Sequence, residues 1–204
     1  MTNGWIMNRV KLGVLLILGL IANAWFLSHG HGHAATPARA GAAHETQLVL
    51  PDILVRDSFD REQSLSHLLK DQVAVINFVF TSCTTVCPIL SATMQELEKR
   101  LQHRLGSGVI LLSISVDPGN DTPQKLRVHA EKLGAGIHWH WLTGKPAEIT
   151  QLLKAFSVPT GRPENHPPLV LIGNVNTDRW LRWVGIAAPQ TLVDAVDMLA
   201  AETK

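Results

Sequence analysis

The plainest pattern in the chain is a series of short apolar runs separated by stretches with helical spacing. Val73–Phe80 (VAVINFVF) is nearly unbroken, as a strand covered on both faces requires. From Pro88, apolar side chains recur at Leu90, Met94, Leu97, Leu101 and Leu105. That period predicts a helix, with Pro88 suited to its first turn and Gly106 to its end. Val109–Val116 (VILLSISV) reads as a second buried strand, followed by the turn Asp117-Pro118-Gly119-Asn120. Asp121-Thr122-Pro123 opens a helix through Leu133, with Asp121 or Thr122 as cap and Gly134 as stop.

His138–Leu142 is a short strand in which Trp139 and Trp141 alternate with His138 and His140. Pro146 opens a helix carrying Ile149, Leu152, Leu153 and Phe156 on one face. Leu169–Ile172 and Trp180–Ile186 are strands joined by a polar turn, hence an antiparallel hairpin. Pro189 opens a last helix with Leu192, Val193, Val196 and Leu199. Upstream, Leu48–Asp60 reads as an edge strand or hairpin and Ser64–Lys70 as a short capped helix. Alternating strands and helices predict an α/β sheet with both faces covered. The closing strand–strand–helix is similar to a thioredoxin-like fold.

The N-terminal region follows a different pattern. Arg9 and Lys11 precede Leu12–Leu27, an uncharged apolar run that spans about 24 Å as a helix. With Val10 added and Lys11 snorkelling, the run comes close to the ~30 Å hydrocarbon core. The positive flank predicts a cytoplasmic N-terminus and an exported remainder. A cleaved signal peptide is the competing reading, with Ala38-Arg39-Ala40 as its processing site. Ala38 is far beyond the apolar run for such a site, so an uncleaved anchor is favoured. The expected organisation is a cytoplasmic segment 1–11, an anchor (or signal peptide) 12–28, a linker 29–46 and one domain 47–204. His29, His31 and His33 alternate with glycine in the linker, which reads equally as a solvated tether or a loose metal tract.

Composition narrows the chemistry. The 204 residues carry 18 basic and 17 acidic groups, so no basic surface points to nucleic acid. Residues 1–44 hold three basic groups and no acid, which leaves a slightly acidic exported domain. Two cysteines exclude a disulfide scaffold and a four-cysteine zinc site.

Both cysteines, Cys83 and Cys87, fall where the first buried strand gives way to a helix, the end of an α/β sheet where ligands bind. In an ideal helix their Cα atoms would be ~6.2 Å apart, just inside disulfide range. A structural bridge closing so short a loop would add only about 2 kcal/mol. Thr81, Ser82, Thr84 and Thr85 make the segment too polar for two inert core thiols. The helix N-terminus is expected to lower the pKa of Cys87. Two thiolates serve either dithiol–disulfide exchange or soft-metal binding, and two thiolates with one imidazole make a trigonal copper site.

The segment Phe80-Thr81-Ser82-Cys83-x3-Cys87-Pro88, followed by Ser115-Val116-Asp117-Pro118-x2-Asp121-Thr122-Pro123, resembles the Sco/SenC family. Leu142-Thr143-Gly144 and His166, shortly before an apolar strand, extend the resemblance across Leu48–Lys204 and the N-terminal anchor. It implies a thioredoxin-like domain tethered to a bacterial inner membrane by a single pass and facing the periplasm or cell exterior. It implies copper, Cu(I) or Cu(II), held by Cys83, Cys87 and His166. The implied role is delivery to, or preparation of, the dinuclear copper site of cytochrome c oxidase, with the copper-receiving subunit or another copper chaperone as partner. Some members are instead credited with thiol–disulfide work, in which Cys83 and Cys87 would be the redox residues. A peroxide-reducing or electron-carrying relative is a weaker alternative.

Pro167-Pro168 follow His166 where the family has Ser or Thr, and one of them is the candidate for the cis-proline such folds place facing the cysteines. Glu164 and Asn165 are candidates to orient the ring. Elsewhere, His138 and His140 are a possible metal pair, although strand alternation accounts for them more simply. Asp117 and Asp121 resemble a carboxylate pair but read as turn and cap. His67, His103 and His129 are expected to be solvated on helices. Ser113 and Ser115 lack a nucleophile-elbow context.

Overall fold

In the computed structural model, which describes residues 43–84 and 87–202, Val73–Val79 and Val109–Ser115 form two central parallel strands. In order the elements are β1 (His44–Thr46), β2 (Leu54–Asp57), β3 (Glu62–Ser64), α1 (Leu65–Leu69), β4 (Val73–Val79), α2 (Cys87–Leu101) and β5 (Val109–Ser115). There follow α3 (Pro123–Lys132), β6 (Trp139–Thr143), α4 (Pro146–Ala155), a 3-10 turn (Pro163–Asn165), β7 (Leu169–Asn174), β8 (Arg179–Val184) and α5 (Pro189–Ala201). The strands form one mixed sheet in the order β1-β8-β7-β4-β5-β6-β2-β3. β4, β5 and β6 run parallel, and the remaining pairs are antiparallel.

The uninterrupted apolar character of β4 follows from this position. Ala74, Ile76 and Phe78 face a core shared with α1 and α4, while Val73, Val75 and Val79 face a second core under α2, α3 and α5. Asn77 is the exception on β4. Its Oδ1 accepts from Ser113 Oγ at 2.6 Å, and Ser113 Oγ accepts from Trp139 Nε1 at 2.9 Å, so a polar chain crosses β4, β5 and β6 inside the second core.

The sequence expectations hold for the central elements and shift at the margins. β1 lies inside the stretch 29–46 expected as linker, where it pairs with Trp180–Arg182 of β8. Leu48–Asp60 resolves into a hairpin of β2 with β3, which extends to Ser64. Helix α2 begins at Cys87 and ends at Leu101, not Leu105. Arg104 N and Leu105 N both return to Leu101 O, closing the helix in a tight turn that leads to Gly106 at φ +76°. The anchor Leu12–Leu27 and the histidines His29, His31 and His33 lie outside the described residues. No helix among the described residues is long and apolar enough to cross a membrane.

Gly173 sits opposite Trp180 across the β7–β8 ladder, and a Cβ there would overlap the fully buried indole. Gly173→Ala is expected to cost about 1–3 kcal/mol by overpacking. Thermal unfolding checks it, at about 2–4 °C of Tm per kcal/mol for a domain of this size.

Candidate functional site

The chain leaves β4 at Phe80 and turns at once. Cys83 N donates to Phe80 O at 3.1 Å, which curls the segment so that Cys83 faces the start of α2. Cys87 is the first residue of that helix, and its backbone N–H donates to Cys83 Sγ at 3.4 Å. Both cysteines are thiols, Cys83 half-buried and Cys87 1 % exposed. Cys87 packs within the core that contains Phe80 and Leu169, and Cys83 lies against the same cluster.

The turn is held from the next strand. Asp121, 1 % exposed, accepts from Thr81 N at 3.1 Å, Thr81 Oγ1 at 2.6 Å and Ser115 Oγ at 2.7 Å. Parallel pairing of β4 with β5 sets Val79 opposite Ser115, Thr81 follows two residues beyond the strand end, and the loop into α3 folds Asp121 back to reach both Thr81 and Ser115. Sequence reasoning missed this network, since Asp121 was read as turn-and-cap chemistry. The cap is Thr122, whose hydroxyl accepts from Lys125 N at 3.3 Å. Asp117 is separate: it accepts from Asn120 Nδ2 at 3.0 Å in its own turn. The two carboxylates are no catalytic pair.

His166 follows the 3-10 turn and enters β7 in extended backbone (φ −76°, ψ 132°). It is 5 % exposed, and its ring stands edge-on to Phe80 with centroids 6.1 Å apart. Its Nδ1 lies 2.8 Å from Pro167 O, and a carbonyl can only accept, so Nδ1 carries the proton. Nε2 is thereby left with its lone pair, buried and without a hydrogen-bond partner among the described residues. Glu164 and Asn165 are exposed; the ring is oriented by the Pro167 carbonyl, not by them. No cis peptide bond occurs among the described residues, so neither Pro167 nor Pro168 is the cis-proline the resemblance suggested. Both lead directly into β7, and trans is the favoured isomer for an ordinary X–Pro bond.

The electrostatics differ from the sequence expectation. Burial pushes the Cys87 thiol up to about 12, and the neighbouring Cys83 adds to it through a hydrogen bond and its charge. Backbone hydrogen bonds at Phe80, just past β4, and at Cys87, the helix start, pull the other way and lose. The expected lowering by the helix N-terminus is therefore overturned. Burial also lowers the pKa of His166, partly offset by the Pro167 carbonyl, which favours the neutral imidazole.

The raised thiol makes a pH prediction. The folded chain holds the Cys87 proton more tightly than the unfolded chain, whose thiol titrates near 9.0. Its contribution to stability is full below pH 9 and is lost as pH rises through about 12. Urea melts of the reduced chain between pH 8 and pH 11 are expected to fall in this range. Cys87→Ala flattens the fall, and an unchanged slope in that variant would contradict the assignment.

Two sulfurs and one imidazole nitrogen are a donor set matched to a soft or borderline metal. The structure brings Cys83 and Cys87 together and sets His166 against Phe80, the residue that anchors the cysteine turn. Among the described residues, no group of three or more His, Cys, Asp or Glu side chains is arranged so that it could hold a metal ion. Of the rival candidates, His138 and His140 alternate with buried Trp139 and Trp141 as expected. His67 and His103 are exposed. His129 is not solvated: it is half-buried, packs on Trp141 with ring centroids 5.4 Å apart, and has its pKa lowered by burial.

A family model described as SCO1/SenC matches residues 58–170, more than half of the chain. The SCO1 protein homolog of Bacillus subtilis is 35% identical over 105 residues, which cover 50% of this chain and 54% of that protein. The chain thus matches about half the length of this curated relative. BsSco, described as a member of the Sco family of cytochrome c oxidase assembly proteins in which a disulfide switch was identified, is 26% identical with a TM-score of 0.62. That match covers 78% of this chain and 96% of BsSco. Arabidopsis thaliana ScoI, solved with copper bound, shares the fold at a TM-score of 0.63 and 18% identity, over 76% and 99% of the two chains.

Proposed function

The chain belongs to the SCO1/SenC family, and from that premise we propose that it is a copper-binding assembly factor using Cys83, Cys87 and His166. The observation that carries the reading is the orphaned Nε2 of His166, a buried lone pair on the same framework as two adjoining thiols. An unpartnered buried acceptor costs about 1–3 kcal/mol, so a ligand for it has a physical rationale.

Copper is the cargo, and the chain's own groups set the terms of its binding. Cys87 must release its proton, so uptake weakens as pH falls. The Nδ1–H···O contact to Pro167 holds His166 in the tautomer that ligates through Nε2. The two thiolates and the imidazole supply three ligands, which leaves room for an acceptor's side chains to enter and exchange the ion. The recipient we propose is the dinuclear copper site of cytochrome c oxidase, in keeping with the description of BsSco. We further propose that Leu12–Leu27 anchors the chain in a bacterial inner membrane with the domain in the periplasm. A mature N-terminus near Gly41 would show cleavage instead.

A second reading is favoured by the Cys83–Cys87 contact and by the disulfide switch identified in BsSco. Here the two thiols reduce a partner's disulfide: one thiolate attacks, the second resolves, and Cys83 and Cys87 are oxidised as the partner gains two thiols. His166→Ala separates the readings. A copper factor is expected to lose Cu(I) affinity at least tenfold and to keep its rate of exchange with a small disulfide. Equal Cu(I) affinity with slowed exchange would favour the reductase.

A further inference from the structure

Far along the sequence from the cysteine turn, the sheet carries a second set of imidazoles. His138 closes the turn that leads into β6 and His140 is the second residue of that strand, and both are more exposed than the buried Trp139 and Trp141 beside them. His138 O accepts from Leu111 N, and His140 pairs with Leu112, so both residues are registered against β5. Their rings line a cavity of about 260 Å³ that is closed on another side by His67, from the last turn of α1.

Alternation alone would place any polar residue at 138 and 140. Two further observations concern the imidazoles themselves. The His138 ring lies on Gly106, where a Cβ would stand 2.5 Å from Cε1 and 2.7 Å from Nδ1. Only glycine leaves that room, and the φ of +76° there suits glycine as well. His140 is half-buried and borders the same cavity as His138. The two imidazoles flank one buried indole, that of Trp139, and border the same cavity, where an ion would need bonds of ~2.0–2.1 Å to each.

We propose that His138 and His140 form a second metal site, which takes one divalent ion of the imidazole-preferring class. By the stability order of such ions it binds Cu(II) most tightly. Solvent fills the remaining positions, and exposed His67 borders the same cavity. Asp57 and Glu98 interact electrostatically with His140 and His138 and favour a cation; Arg61, which acts on His140, and Lys70, which lines the cavity, oppose it. The site differs in chemistry from the thiol pair, since imidazole nitrogens suit the oxidised ion whereas thiolates suit Cu(I).

The test uses the full chain in detergent with Cys83→Ser and Cys87→Ser, so that the thiol pair is silent. Thermal unfolding is followed by circular dichroism with and without Cu(II) chloride, beside the Cu(II) paramagnetic resonance spectrum. An ion held by the folded sheet raises Tm. The expected result is a rise in Tm and a nitrogen-coupled Cu(II) signal, both lost or sharply reduced in His138→Gln and in His140→Gln. Any contribution from the linker histidines is common to parent and variants and cancels in the comparison. His138 is exposed, so His138→Gln serves even if His140→Gln does not fold. No rise in the parent, or an equal rise and signal in the folded variants, would overturn the proposal.

Discussion

Asp121→Ala is expected to destabilise the domain by about 3–5 kcal/mol, a large share of the ~5–15 kcal/mol typical of a folded protein. The side chain is 1 % exposed and serves three donors on two segments: Thr81 N, Thr81 Oγ1 and Ser115 Oγ. Truncation leaves all three without their acceptor, fully buried at Ser115 and half-buried at Thr81, and each unmet buried donor costs about 1–3 kcal/mol, short of full additivity. Asp121→Asn keeps the shape and one acceptor oxygen, while the two hydroxyls can turn to accept from its amide. It is expected to lose less than half as much. Urea unfolding measures both variants. If Ala and Asn are equally mild, Asp121 does not hold the turn. Thr81 lies two residues before Cys83, so the same variants are expected to weaken metal binding even where the protein remains folded.

The Asp121 network shows where reading the sequence stops. The strands β4 and β5 were legible because burial on both faces demands unbroken apolar runs, and α2 because Leu90, Met94, Leu97 and Leu101 keep one face apolar. β1 was not, since His-Glu-Thr carries no apolar side chain; it forms by pairing with β8 and by the Arg179–Glu45 ion pair at 3.1 Å. At the site, residue type and spacing made the cysteines and His166 visible. The role of Asp121 depends on the parallel register of Val79 with Ser115, which leaves Thr81 just beyond the strand end and within reach of the same carboxylate, and the neighbouring Thr122 offers a sufficient local explanation for the same motif. Cys87 illustrates the same limit. The helix start is local and readable, whereas the burial that outweighs it comes from side chains such as Leu169, more than eighty residues away.

The second large effect concerns the thiol pair. Serine at either position removes one of two sulfur donors, and a hydroxyl is a poor ligand for Cu(I). The remaining sulfur and imidazole would form a two-coordinate site without the chelation that two cysteines on one turn provide. Cys83→Ser and Cys87→Ser are therefore each expected to lower Cu(I) affinity by a factor of 100 or more, about 2.7 kcal/mol at the tenfold-per-1.4 scale. Cys87→Ser also removes the thiol with the raised pKa, so its residual binding should depend less on pH above neutrality.

Anaerobic titration of the fully reduced chain with Cu(I), in competition with a chromophoric chelator, tests the central claim most directly. The account predicts one tightly held equivalent, lost in Cys83→Ser and weakened in His166→Ala. A stoichiometry near zero, or undiminished binding in Cys83→Ser, would contradict it.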